Sequence, residues 1–296
     1  MDAAALPPID EPHLYSSASR LAAGGALPLL SSLLSRAAAQ PGGAARLADG
    51  DVEGMPPLCS ACRAGEEGAV RALLEAAGED KEAGAHEAID ALRGPAHSTP
   101  AMLACDAASA GCLAELLLRG VDLALRDNAG NTALHRACRA GATPLLPLLV
   151  EPSAALRARA DAARRPLAAS AVSRISSAVL VEATNEAGRT ALHVAANGGH
   201  AACVAFLLAH RADASAADDR LGWTPLHVAS AAGHELVCSL LLGAGSDADA
   251  ADRRGRVPRQ LAEGIKAVEA AFAVAAAAAA GRAGAGASAA EPTEVA

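Results

Sequence analysis

Apolar positions in this chain fall in short paired bursts, separated by Gly and polar turns, and the bursts recur in register. Three segments share one pattern: GNTALHRA at 130–137, GRTALHVA at 188–195 and GWTPLHVA at 222–229. Weaker copies read GMPPLCSA at 54–61, HSTPAMLA at 97–104 and GRVPRQLA at 255–262. The Thr position falls at Pro56, Thr99, Thr132, Thr190, Thr224 and Val257, with spacings of 43, 33, 58, 34 and 33 residues. Two intervals are therefore 33 residues plus insertions of 10 and 25. Thr before an apolar run suits a helix start, because its hydroxyl caps an orphan N–H, and a following Pro needs no donor. Leu226 with Ala229, and Leu192 with Ala195, stand three apart on one face of that helix. Gly65, Gly141, Gly199 and Gly233 then stop it, where a left-handed residue is needed. In the second run Leu236, Val237, Leu240 and Leu241 predict another helix, with a stripe facing its neighbours. Asp51, Asp127, Asn185, Asp219 and Asp252, each three residues before a Gly, predict turns. One such helix pair cannot bury its apolar face alone, so the pairs must stack.

A 33-residue period carrying Thr-Pro-Leu-His-x-Ala resembles the ankyrin repeat. The resemblance covers residues 54–280 and implies an all-α solenoid of helix-turn-helix units with short β-hairpin or turn projections. Repeats are expected at 54–96, 97–129, 130–187, 188–221 and 222–254, with a C-terminal cap at 255–280. Leu29, Leu30, Leu33 and Leu34 follow Gly25 at the spacing of a second helix, and Ser16 takes the Thr position. Residues 14–53 are accordingly expected to be a degenerate N-terminal cap, with residues 1–13 and the Gly/Ala/Ser-rich 281–296 disordered. Ile265, Val268 and Phe272 have helical spacing for a last outer helix, and Pro144 with Pro147 predict a short second helix in the third repeat. The insertions differ in sign, acidic at 75–93 and basic at 153–180.

Composition narrows the function. The formal net charge is −8 and only Lys81 and Lys266 are lysines, which argues against nucleic acid as the partner. Of the 52% of residues that are apolar, more than half are alanine, so thin layers between close helices are expected rather than a deep core. No 18-residue run of bulky apolar residues predicts a membrane span. Seven cysteines without an export signal point to a reducing compartment, cytoplasmic or nuclear, with free thiols. Residues 12–48 lack acids and resemble an organelle transit peptide, although the capping repeat accounts for the same stretch.

The residues that invite chemistry all have repeat positions. Cys59-x-x-Cys62 has no second ligand pair, and Cys62, Cys105 and Cys138 share one slot of the first helix, as small core residues would. The resemblance implies that His135, His193 and His227 hydrogen-bond backbone at the helix start, and a structural role is also expected of His200 and His234. No phosphate loop or nucleophile elbow occurs, so no catalytic, cofactor or metal residue is assigned. Function then rests on the surface. Arg126, Asn128, Arg220 and Trp223 at the turns, and Arg63, Arg136, Arg139 and Asn197 on the first helices, are the expected partner contacts. Arg126, Arg136 and Arg139 as a cluster suit a partner with an acidic surface. The expected function is a non-enzymatic protein-binding module, a scaffold, adaptor or inhibitor, acting as a monomer. The alternative is a regulatory or targeting subunit of an enzyme complex.

Overall fold

The computed structural model describes residues 18, 20–30, 55–76, 89–151 and 180–287. Most of the acidic insertion, nearly all of the basic insertion, Ser16, Asp51 and residues 288–296 lie outside the described residues. The chain divides into two compact units, Met1–Glu186 and Ala187–Ala296.

In the first unit the helices come in pairs: α1 (Pro57–Ala64) with α2 (Glu67–Ala76), α3 (Pro100–Asp106) with α4 (Ala110–Leu117), and α5 (Ala133–Ala140) with α6 (Leu146–Val150). First helices pack on first helices, α1 on α3 on α5, and second on second, α2 on α4 on α6. Residues 20–23 and 27–30 are helical around Gly25, and Leu27 lies against Gly68 of α2. The second unit repeats the scheme with α7 (Ala191–Asn197) and α8 (Ala201–Ala209), α9 (Pro225–Ala232) and α10 (Glu235–Gly243), and α11 (Pro258–Leu261) and α12 (Lys266–Ala287). Its rows are α7–α9–α11 and α8–α10–α12.

In each unit the core is a thin layer between the two rows. Leu113, Leu116, Leu134, Leu145, Leu146 and Leu149 are its large side chains in the first unit, and Leu192, Leu207 and Leu226 in the second. Burying one such side chain contributes about 1.5–3 kcal/mol, so each pair depends on neighbours that complete its burial. All seven cysteines are buried, and none forms a disulfide. α6 is five residues long, carries Pro147 in its first turn and is entered through a 3-10 turn at Thr143–Leu145.

Two expectations need correction. Leu236 does not belong to the packing stripe: it is 70% exposed, and Val237, Cys238 and Leu241 make the buried face of α10. α8, α9 and α12 pack around α10, and Leu236 falls on the arc that none of them covers. The tail does not begin at Gly281, because α12 continues to Ala287. The run of strong helix-forming alanines up to Ala280 carries the helix through Gly281, Gly284 and Gly286. The projections take the turn form of the hairpin or turn expected, closed by backbone bonds, and no strand forms among the described residues. The closing pairs are Asp127 N–H to Asn131 O (3.0 Å), Asp218 N–H to Trp223 O (2.8 Å) and Asp252 N–H to Arg256 O (2.9 Å).

Candidate interaction surface

Three of the turns are organised by a buried carboxylate. Asp127 Oδ1 accepts the N–H groups of Ala129 and Asn131, both at 2.8 Å. Asp252 does the same for Arg254 and Arg256, and Asp218 for Leu221 and Trp223. The sequence pattern puts Asp219 in this position, counting back from Gly222. The structure puts Asp218 there, since this turn is one residue longer and Asp219 is exposed. The 34-residue spacing between Thr190 and Thr224 was the signal for that extra residue.

A carboxylate buried this far needs a compensating charge. Burial pushes the Asp127, Asp218 and Asp252 carboxyls up, but the hydrogen bonds they accept outweigh it and hold all three below the usual carboxylate range. The paired arginine comes from three different places. Asp127 takes Arg136 from α5, at 2.6 Å. Asp218 takes Arg189 from the preceding turn at 3.3 Å, and Asp252 takes Arg256 from its own turn at 2.8 Å. Neighbouring turns are then joined through backbone: Glu186 N–H donates to Ala129 O, Asp219 N–H to Ala187 O and Arg253 N–H to Leu221 O. Gly130 and Gly188 permit this approach. Both have positive φ, and a Cβ on either would stand 2.6 Å from the backbone nitrogen of the next turn, Glu186 or Asp219.

The histidines close the helix starts. His193 Nδ1 accepts the Thr190 N–H at 3.2 Å and meets Thr190 Oγ1 at 2.9 Å. An accepting Nδ1 leaves the proton on Nε2, which donates to the Trp223 carbonyl of the next repeat at 2.9 Å. His227 repeats this with Thr224 and the Arg256 carbonyl, and His135 takes the same position against Thr132. Burial lowers the His193 and His227 pKa values, so both rings stay neutral at pH 7. Burial likewise pushes the Cys62 and Cys105 thiols up, and Cys59 up to about 12, which makes them poor nucleophiles. Among the described residues no three His, Cys, Asp or Glu side chains are grouped to hold a metal ion. A groove between α10 and α12 is lined by Leu242, Phe272 and Val274, and its charged lining residues are Asp249 and Arg259.

The expected contact residues separate into two kinds. Arg136 is not a free surface residue: its side chain is 10% exposed and bonds Asp127, Asp106 and the Ser98 hydroxyl. Those partners, 9 to 38 residues away, were invisible in a local reading of α5. Arg139, 55% exposed, also reaches Asp106, at 3.0 Å. The Arg126 guanidinium lies on the Thr184 and Gly130 carbonyls, so the arginine cluster is already largely matched within the unit. Trp223 is half-buried, with its indole N–H donating to Asp252 at 3.0 Å and the Arg256 guanidinium 5.7 Å from its ring. Arg63, Asn128, Asn197 and Arg220 are exposed. Sequence reasoning missed Arg254, exposed on the last turn, because its repeat is the weakest copy. It also missed Arg71, which bonds the buried Glu115 at 2.8 Å between α2 and α4.

Residues 160–252 match the family described as Ankyrin repeats (3 copies). The structure is similar to the crystal structure of the human ASB11 ankyrin repeat domain, with a TM-score of 0.66 and 22% sequence identity. The match covers 87% of this chain and 96% of that one. No curated protein matches the chain.

Proposed function

This chain is an ankyrin-repeat protein, and from that premise we propose that it is a non-enzymatic docking module, a scaffold, adaptor or inhibitor for another protein. Ankyrin repeats are generally protein–protein interaction modules. The observation that carries the reading is where polar side chains are spent. The groups suited to catalysis, His193, His227 and the thiols, are buried, and the two imidazoles hold helix starts. The groups suited to recognition, Arg63, Asn128, Arg139, Asn197 and Arg220, are exposed on the first helices and the turns. A surface preset by such bonds loses little conformational freedom on binding. The buried thiols, none of them in a disulfide, fit a monomer working in the cytoplasm.

Photo-crosslinking tests this. A crosslinking residue placed at Asn197 or Asn128 should capture a discrete partner from native lysate, and the same residue at the exposed Ala205 of α8 should not. Equal capture from both faces, or turnover by the purified chain of a substrate it co-purifies with, would overturn the proposal.

A further inference from the structure

The groove between α10 and α12 opens where the last repeat carries a smaller side chain than its neighbours. The seventh residue after the glycine between paired helices is Phe206 on α8 and Leu240 on α10, but Ala271 on α12. Ala271 lines the groove, of about 810 Å3, and Ala275 and Ala278 continue its wall along α12. Ser246, also in the lining, is a second departure. It precedes Asp247, whose carboxylate accepts the N–H two residues on, as Asp122 and Asp213 do in earlier repeats. The residue before those two is Val121 or Ala212, both apolar. The Ser246 hydroxyl oxygen is buried and has no hydrogen-bond partner among the described residues. Burying a hydroxyl without a partner is costly, and an apolar residue there would avoid that cost. The groove's two charged residues, Asp249 and Arg259, are exposed, and neither side chain has an ion-pair or hydrogen-bond partner among the described residues. The Arg259 guanidinium lies 5.9 Å from the Phe272 ring.

We propose that this groove takes an amphipathic helix of a protein partner, with an apolar stripe along the alanines, an acid for Arg259 and a base for Asp249. The site goes beyond the docking surface above and stands without it. It lies in the row α8–α10–α12, whereas Asn197 ends a helix of the other row. α8, which carries Ala205, does not line it. Small residues at i, i+4 and i+7 form a low ridge, which a third helix can approach to about 8–10 Å. α12 has 22 residues and α10 only nine, so the wall is longer than α10 covers. A segment of one charge sign does not suit the groove. What it gains at Arg259 it loses at Asp249, or the reverse, and the exposed Asp247 adds to the acidic end. A helix with one base and one acid at the ends of its stripe satisfies both. Rotation about χ1 offers the Ser246 hydroxyl to the same occupant.

The test is fluorescence anisotropy of the full chain with a labelled helical peptide of about 16 residues, long enough to hold its helix. It carries a leucine stripe with Lys at one end and Glu at the other. Two control peptides replace the leucines by Gln, or the Lys by Glu. The first peptide should bind, and Ala271→Leu, which restores the bulk of the preceding repeat, should weaken it by about tenfold. Arg259→Gln and Asp249→Asn, both on exposed side chains, should each weaken it by about threefold. Ser246→Ala should also weaken it while raising the melting temperature, because the unpartnered hydroxyl is gone. Ala205→Leu, outside the groove, should leave binding unchanged. No binding of the first peptide, equal binding of either control, or binding unchanged by both Ala271→Leu and Arg259→Gln would each overturn the proposal. Crosslinking at Asn197 reports the docking surface separately, so either result there leaves the groove test intact.

Discussion

The arginines of the two units divide differently between internal bonds and open surface, with Arg63 exposed in the first. In the first, Arg71, Arg126, Arg136 and Arg139 all bond within the unit, and two of their acceptors, Glu115 and Asp127, are buried carboxylates. In the second, Arg189 and Arg256 meet the buried acids, while Arg220 and Arg254 remain exposed and unmatched. Residue type and repeat position alone therefore do not distinguish a structural arginine from an available one. What distinguishes them is whether a carboxylate buried in the same turn has already been neutralised.

The sharpest way to break this contrast is Arg136→Ala. Removing it strands Asp127 without its counter-charge, and unfolding in urea should show a loss of about 3–5 kcal/mol. Leu226→Ala, a fully buried position of α9, should lose about 2–5 kcal/mol in the same assay. A loss below 1 kcal/mol at either site would mean that its surroundings are far looser than described.

Acidification should weaken the second unit before its carboxylates titrate. His193 and His227 have lowered pKa values when folded, so the unfolded chain binds more protons as pH falls below the ordinary histidine value of about 6.5. Stability is full above that value and declines through it. A second decline follows lower, as Asp218 and Asp252 of this unit and Asp127 of the first, whose pKa values are depressed, begin to protonate. Thermal melts between pH 8 and 5 should show the first decline in the native chain and a shallower one in His193→Gln.

Smaller effects sharpen the backbone account. Ala108 and Arg211 have φ of 52° and 63° at positions where other repeats place Gly. Ala108→Gly and Arg211→Gly should each raise stability by about 0.5–1 kcal/mol, the left-handed strain exceeding the added freedom of the unfolded chain. Arg254→Gln should change stability least, within about 0.5 kcal/mol.

The helix pairs were legible because their signals are local: Thr or Pro at the start, Gly at the stop, and leucines at helical spacing between. The structural histidines were legible for the same reason, since Thr190 and His193 are three residues apart. Arg136 was not, because Asp106 and Ser98 approach it from the preceding repeat. Nor was the Asp218 anchor, where one added residue shifts the count from Gly222. Exposure at Leu236 escaped the apolar pattern because helical periodicity places a residue on a face without stating how wide a face the neighbours cover.

The most direct test is an arginine scan measured twice, by urea unfolding and by capture of the native partner. The two readouts should separate: Arg136 should alter stability, and Arg220 and Arg254 should alter capture alone. Capture that declines only in proportion to lost stability, whichever arginine is changed, would contradict the division between structural and available arginines.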